Sequence, residues 1–214
     1  MPKRKNFDFQ QNLNLNIRGL SPSATLAINE KSNLLKKEGR HIVKLGLGQS
    51  PFPVPEPVVE ALKENAFHKE YLPVKGLPEL QKAIAGFNLR TQKIETDSSN
   101  ILVGPGSKEL IFLLQLVFYG ELIIPTPSWV SYAPQAAIVG RNVHWVETSI
   151  KNNLRLSPEK LEEICRQDPS RPRVVILNYP SNPTGCSYPI ERLKLLAEVA
   201  RKYQLILISD EIYG

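Results

Sequence analysis

Asp210 and Tyr213 stand in the last polar stretch of the chain, Ser209-Asp210-Glu211-Ile212-Tyr213. A carboxylate and a phenol at this spacing can hold two edges of one aromatic ring, the acid at a ring nitrogen and the phenol at a ring oxygen. Asn182, in the run Asn182-Pro183-Thr184-Gly185, adds a second hydrogen-bonding group for such an oxygen. Trp129 offers a flat face for stacking. Gly106-Ser107-Lys108 opens an apolar segment of helical pattern. Free backbone N–H groups, the helix dipole and the Ser107 hydroxyl can together hold a phosphate there. Each piece also has a plainer reading: a turn, a core tryptophan, or an Asp210 that caps a following helix. Cys186 beside them reads as a small packed residue. The pattern as a whole, suited to a phosphorylated aromatic ring, carries the argument.

Such residues are useful only if the chain brings them together. From Ile101 onward strand-like and helix-like segments alternate. Strands are predicted at Ile101–Val103, Glu121–Ile124, Val143–Val146, Val174–Leu177 and Leu205–Ile208. Helices are predicted from Lys108 to Phe118, to about Val139, from Pro158 to about Gln167 with Ser157 as N-cap, and from Pro189 to Tyr203. This alternation predicts a mostly parallel sheet covered by helices on both faces. The polar residues singled out follow different strands at their carboxyl ends, where open α/β sheets bind ligands. Before Ile101 the chain reads as a polar arm over residues 1–20 and a helix from Ser23 to Lys37. A strand-like run at Ile42–Leu47 leads into a loop rich in proline and glycine, then helices over Pro57–Ala66 and Leu77–Leu89.

Composition narrows the class. The 214 residues can bury a sizeable core, and 42% apolar with 22% charged residues suits a globular protein rather than a disordered one. No apolar run reaches membrane-spanning length, and no apolar stretch follows the basic start, so a secretory signal is not expected. Cys165 and Cys186 make no disulfide framework, and the scattered histidines make no metal site. The net charge of +6 is dispersed and mixed with acids, which favours a solvated surface over a nucleic-acid interface. A cytoplasmic protein without membrane or nucleic-acid partners is expected.

In these motifs the chain resembles the class I/II aminotransferases, pyridoxal-phosphate enzymes of fold type I, and within them the aspartate/aromatic branch. The resemblance rests on Pro22-Ser23-Ala24-Thr25 and on Tyr71 followed by Pro73, Gly76 and Pro78-Glu79-Leu80. It also rests on Pro127-Ser128-Trp129-Val130-Ser131-Tyr132, Asn182-Pro183-Thr184-Gly185 and Ser209-Asp210-Glu211-Ile212-Tyr213. It runs from about Ile17 to Gly214. It implies a three-layer α/β/α large domain, here truncated before its last strands. Residues 1–50 would be an arm and a small-domain segment, and residues 51–214 the first part of the cofactor-binding domain. The implied reaction moves an amino group from an amino acid to a 2-oxo acid. The alternatives are a lyase or decarboxylase on the same fold, or a binding remnant without turnover.

The resemblance also implies roles. Asp210 would keep the pyridine nitrogen protonated, Asn182 and Tyr213 would bond the phenolic oxygen, and Trp129 would stack on the ring. Gly106, Ser107 and Lys108 would surround the phosphate. Tyr71 would reach the cofactor of a partner subunit, implying a homodimer. Gly48, Trp129 and Asn182 would contact substrate. Cis peptides are expected at Thr126–Pro127 and Asn182–Pro183. The two strands after Tyr213 are expected to lie between the Ile101–Val103 and Val174–Leu177 strands. The family's Schiff-base lysine and its arginines have no match in these residues; Lys75 and Lys108 are not assigned the part.

Overall fold

The computed structural model describes residues 12–46, 48 and 50–214. They form two compact units, Ser21–Gly104 and Pro105–Gly214, the latter joined by the described residues up to Leu20.

The first unit is built on three helices, α1 (Ala24–Lys37), α2 (Glu56–Asn65) and α3 (Pro78–Gln92). Pro57 and Pro78 sit in first turns, where a missing N–H costs no helical bond. The helix α1 ends where Gly39 takes φ +82° and Arg40 N–H bonds back to the Leu35 carbonyl, a left-handed stop. Two sequence expectations fail here. Residues 42–46 form no strand, and Leu47 lies outside the described residues. Ile101–Val103 is extended but joins no sheet. An apolar run becomes a strand only beside a neighbouring ladder. Instead Val103 N–H bonds the Lys75 carbonyl at 2.9 Å, and the Gln81 amide bonds the carbonyls of Lys75 and Ile101. Gly76 makes this approach possible, since a Cβ there would lie 2.6 Å from the Val103 side chain.

The second unit holds the sheet. In chain order it runs α4 (Ser107–Val117), β1 (Glu121–Thr126), α5 (Tyr132–Ile138), β2 (Val143–Glu147), α6 (Pro158–Gln167), β3 (Arg173–Asn178), α7 (Ile190–Lys202) and β4 (Ile206–Asp210). The strands lie in the order β2-β1-β3-β4, all parallel. Successive side chains of a strand face opposite ways, and both faces here are apolar. Leu122, Ile124, Val174 and Ile176 pack with Ile111 of α4 and with Tyr132 and Ala136 of α5. Ile123, Val175 and Leu177 pack with Leu161, Ile164 and Cys165 of α6 and with Leu196 and Val199 of α7. That is the expected three-layer arrangement. Ser157 caps α6 as its sequence predicts, its hydroxyl accepting from Lys160 N–H at 3.1 Å.

The place beside Val174–Leu177 expected for two further strands is corrected by the pairing. β3 is bonded on both sides, to β1 and to β4, so nothing can insert beside Val174–Leu177. Among the described residues the strand with a single neighbour at this end is β4. A short apolar run does not announce its position in the sheet, so the expectation set those strands beside the wrong neighbour.

Candidate functional site

Four segments converge at the carboxyl ends of the strands. The chain leaving β1 passes the cis Thr126–Pro127 bond and presents Trp129. The chain leaving β3 passes cis bonds at Tyr179–Pro180 and Asn182–Pro183. Both expected cis bonds are present, and that at Tyr179–Pro180 is an addition. β4 delivers Asp210 and the turn to Tyr213, while α4 points its amino terminus at the same place. The result is an open cleft of about 350 Å³ lined by Ser107, Trp129, Tyr132, Asn178, Asn182, Asp210, Ile212 and Tyr213. Ser107, Trp129, Asn182, Asp210 and Tyr213, reached separately from the sequence, therefore line one cleft.

Asp210 is the buried charge of this cleft, only 6% exposed. One carboxylate oxygen accepts from the Tyr132 hydroxyl at 2.5 Å, and the other from Ile212 N–H at 3.3 Å. Tyr132 was not singled out from the sequence. It begins α5 three residues after Trp129, so the turn that presents the indole also drives the phenol beneath it. The two rings meet edge to face, with centroids 5.2 Å apart. Burial, and then the adjoining Asp210 carboxylate, push the Tyr132 phenol well above its ordinary range. It stays protonated and acts as a donor to Asp210.

That shift carries a sign. A phenol whose folded pKa exceeds its ordinary value of 10.0 contributes stability present in full below pH 10, and that contribution fades as pH climbs further. Tyr132→Phe is therefore expected to cost about 1–3 kcal/mol in urea unfolding at neutral pH. It is also expected to lessen the loss of stability above pH 10. Equal stability at pH 8 together with an unchanged alkaline slope would contradict this account.

In the same cleft, the Asn182 amide donates to the Tyr213 hydroxyl at 3.3 Å, which places the two groups side by side. At the helix end, Gly106 occupies the N-cap position of α4 with φ +119° and ψ 153°, and no side chain caps the first turn. A Cβ at Gly106 would meet nothing within 4 Å, so the backbone conformation, not crowding, is what favours glycine there. Ser107 follows as the first helical residue. Lys108 projects its ammonium over the Trp129 ring, 5.6 Å from the centroid.

Gly48 and Tyr71 belong to the other compact unit, where Tyr71 is fully exposed. Cys186 lines a neighbouring cavity and is partly buried. Among the described residues no cluster of His, Cys, Asp or Glu can hold a metal ion, and no helix is long and apolar enough to cross a membrane.

The donor set suits pyridoxal phosphate. A buried acceptor-only carboxylate faces one side, an amide and a phenol stand on another, an indole supplies a face, and an uncapped helix end offers N–H groups to an anion.

Comparison with known proteins gives the family. The family described as Aminotransferase class I and II matches residues 40–214. An aspartate aminotransferase of Bacillus subtilis is 37% identical over 202 residues, covering 92% of this chain and 51% of that protein. A probable aspartate/prephenate aminotransferase of Rickettsia conorii is 38% identical over 204 residues, covering 92% and 50%. The solved aspartate aminotransferase of Thermus thermophilus with maleate superposes with a TM-score of 0.85 at 33% identity, covering 94% of this chain and 53% of that one. The chain spans about half the length of the curated relatives it matches.

Proposed function

This chain belongs to the aminotransferase class I and II family, and from that premise we propose that the whole protein is a pyridoxal-phosphate-dependent aminotransferase. It would move an amino group from an amino acid to a 2-oxo acid. The names of its relatives point to aspartate as a donor, and the net charge of +6 suits an acidic substrate. Those relatives are aminotransferases, which favours transfer over a lyase or decarboxylase. The proposal extends to a cytoplasmic homodimer in which the fully exposed Tyr71 reaches the partner's cofactor. It also takes residues 1–50 as arm and small-domain segment and residues 51–214 as the first part of the cofactor-binding domain. Gly48, Trp129 and Asn182 would contact substrate.

The observation that carries the reading is Asp210: buried, held by Tyr132, and in one cleft with the Asn182–Tyr213 pair and the open end of α4. When bound, pyridoxal phosphate supplies a ring that takes up electrons from the substrate Cα. Asp210 holds a proton at the ring nitrogen, since a buried carboxylate stabilises a cation beside it. Asn182 and Tyr213 donate to the phenolic oxygen. Trp129 stacks on the ring and keeps water from that face. The Ser107 hydroxyl and the N–H groups of the first turn of α4, opened by Gly106, hold the phosphate, with Lys108 close by as a positive charge. No lysine lines the cleft among the described residues, so the covalent anchor is assigned to none of them.

The phosphate assignment gives the test. Ser107→Ala in the whole protein is expected to weaken pyridoxal phosphate binding about tenfold, the scale of a lost charge-assisted hydrogen bond. Binding of pyridoxal, which lacks the phosphate, should not change. Equal losses for both compounds, or no loss for either, would overturn the assignment.

A further inference from the structure

β3 ends at Asn178, whose ladder partner is Asp210. The Asn178 side-chain oxygen accepts from the backbone N–H of Asn182 at 2.6 Å. Its amide nitrogen donates to the backbone carbonyl of Asp210 at 2.9 Å. One partner can only donate and the other only accept, so the amide has a single orientation. Asn178 thereby joins two arms that leave different strands: the loop that presents Asn182 and the strand end that presents Asp210.

The surrounding bonds show why this junction matters. The loop is closed on itself, Ser181 N–H bonding the Cys186 carbonyl at 2.9 Å and Gly185 N–H the Ser181 carbonyl at 2.7 Å. It is thus one body, and its aim depends on how its root is held. At the root, Tyr179 N–H shares the Asp210 carbonyl at 3.2 Å, and the Asn178 side chain grips the start of the loop. The Tyr179 hydroxyl also accepts from the Ser209 hydroxyl at 2.7 Å and donates to Glu211 at 3.3 Å, and at the mouth of the cleft Asn182 contacts Tyr213, which is 58% exposed, at 3.3 Å. The bond from Asn178 is the shortest of these ties and the one made to the backbone of Asn182 itself. Asn178 lines the cleft, and each of its polar atoms already holds a protein partner, so its amide is fixed between the two arms rather than free to turn toward a ligand.

We infer that Asn178 is a positioning residue, setting the Asn182 amide relative to the Asp210 carboxylate so that both meet one bound ring. The inference rests on the cofactor reading of the cleft given above, and it assigns Asn178 an action through Asn182 rather than on the ring.

A double-mutant cycle tests it in the whole protein loaded with pyridoxal phosphate. The readouts are cofactor affinity and the pH midpoint of the bound cofactor's visible absorption. Asn178→Ala is expected to weaken affinity about tenfold, the scale on which supporting partners act on the groups they orient. It should move the midpoint in the same direction as Asn182→Ala, and the double variant should move it no further than Asn182→Ala alone. A midpoint unmoved by Asn178→Ala, or shifts that add in full, would overturn the inference and leave the cofactor reading intact. If Asn182→Ala itself moves nothing, the cofactor reading of Asn182 fails and the inference falls with it. Should Asn178→Ala not fold, Asn178→Ser decides by the same cycle, because its hydroxyl is too short to span both partners.

Discussion

A polypeptide of residues 1–214 is expected to turn over no amino acid, however much cofactor is supplied. Amino transfer on this plan needs an amine at the cleft to anchor the cofactor and carry the proton, and no lysine is among the residues that line it. The nearest described candidate, Lys108, sits in the first turn of α4 with its ammonium over the Trp129 ring, beside the end proposed to hold phosphate. Its charge there is an asset only while protonated, whereas a proton carrier must give its proton up. The purified polypeptide, assayed with pyridoxal phosphate, aspartate and 2-oxoglutarate, should match the cofactor alone. Turnover clearly above that background would show that a lysine within these residues does the work.

The second large effect is at Asp210. In the whole protein, Asp210→Ala is expected to lower kcat by about 10²–10³-fold, the range for losing one preorganised electrostatic contact at the reacting group. Asp210→Asn should recover little of this. It keeps the shape and can still accept from Tyr132, but it has no negative charge to hold a proton on a ring nitrogen. KM should move less than kcat, because Trp129 and the end of α4 bind without Asp210. A loss in kcat smaller than about threefold for both variants would remove Asp210 from the chemistry.

Much of this arrangement was legible in the residues, for physical reasons. The strands at 121, 143, 174 and 206 are apolar runs between helical patterns, and β3 is buried along almost its whole length because both of its faces are covered. The Ser157-Pro158 pair marked the start of α6 through the cap it forms. What stayed hidden depends on partners distant in sequence. Ile101–Val103 has the composition of a strand but bonds to Lys75 and Gln81 instead. The β3–β4 pairing follows from packing that no local pattern states. At the site, residues whose chemistry faces the cleft could be named, whereas Tyr132 and Asn178, which act on their neighbours, could not. The signal for Tyr132 was its helical spacing from Trp129. For Asn178 it was its place at the end of a strand, and that becomes meaningful only once the register with Asp210 is known.

One cleft at the carboxyl ends of the sheet is proposed to hold pyridoxal phosphate through these residues. A crystal structure of the whole protein grown with pyridoxal phosphate tests it most directly. The expected result is the pyridine nitrogen within hydrogen-bond distance of the Asp210 carboxylate, the ring on the Trp129 face, the phenolic oxygen at Asn182 and Tyr213, and the phosphate on Ser107 and the first turn of α4. A cofactor bound elsewhere, or one whose ring nitrogen faces away from Asp210, would contradict it.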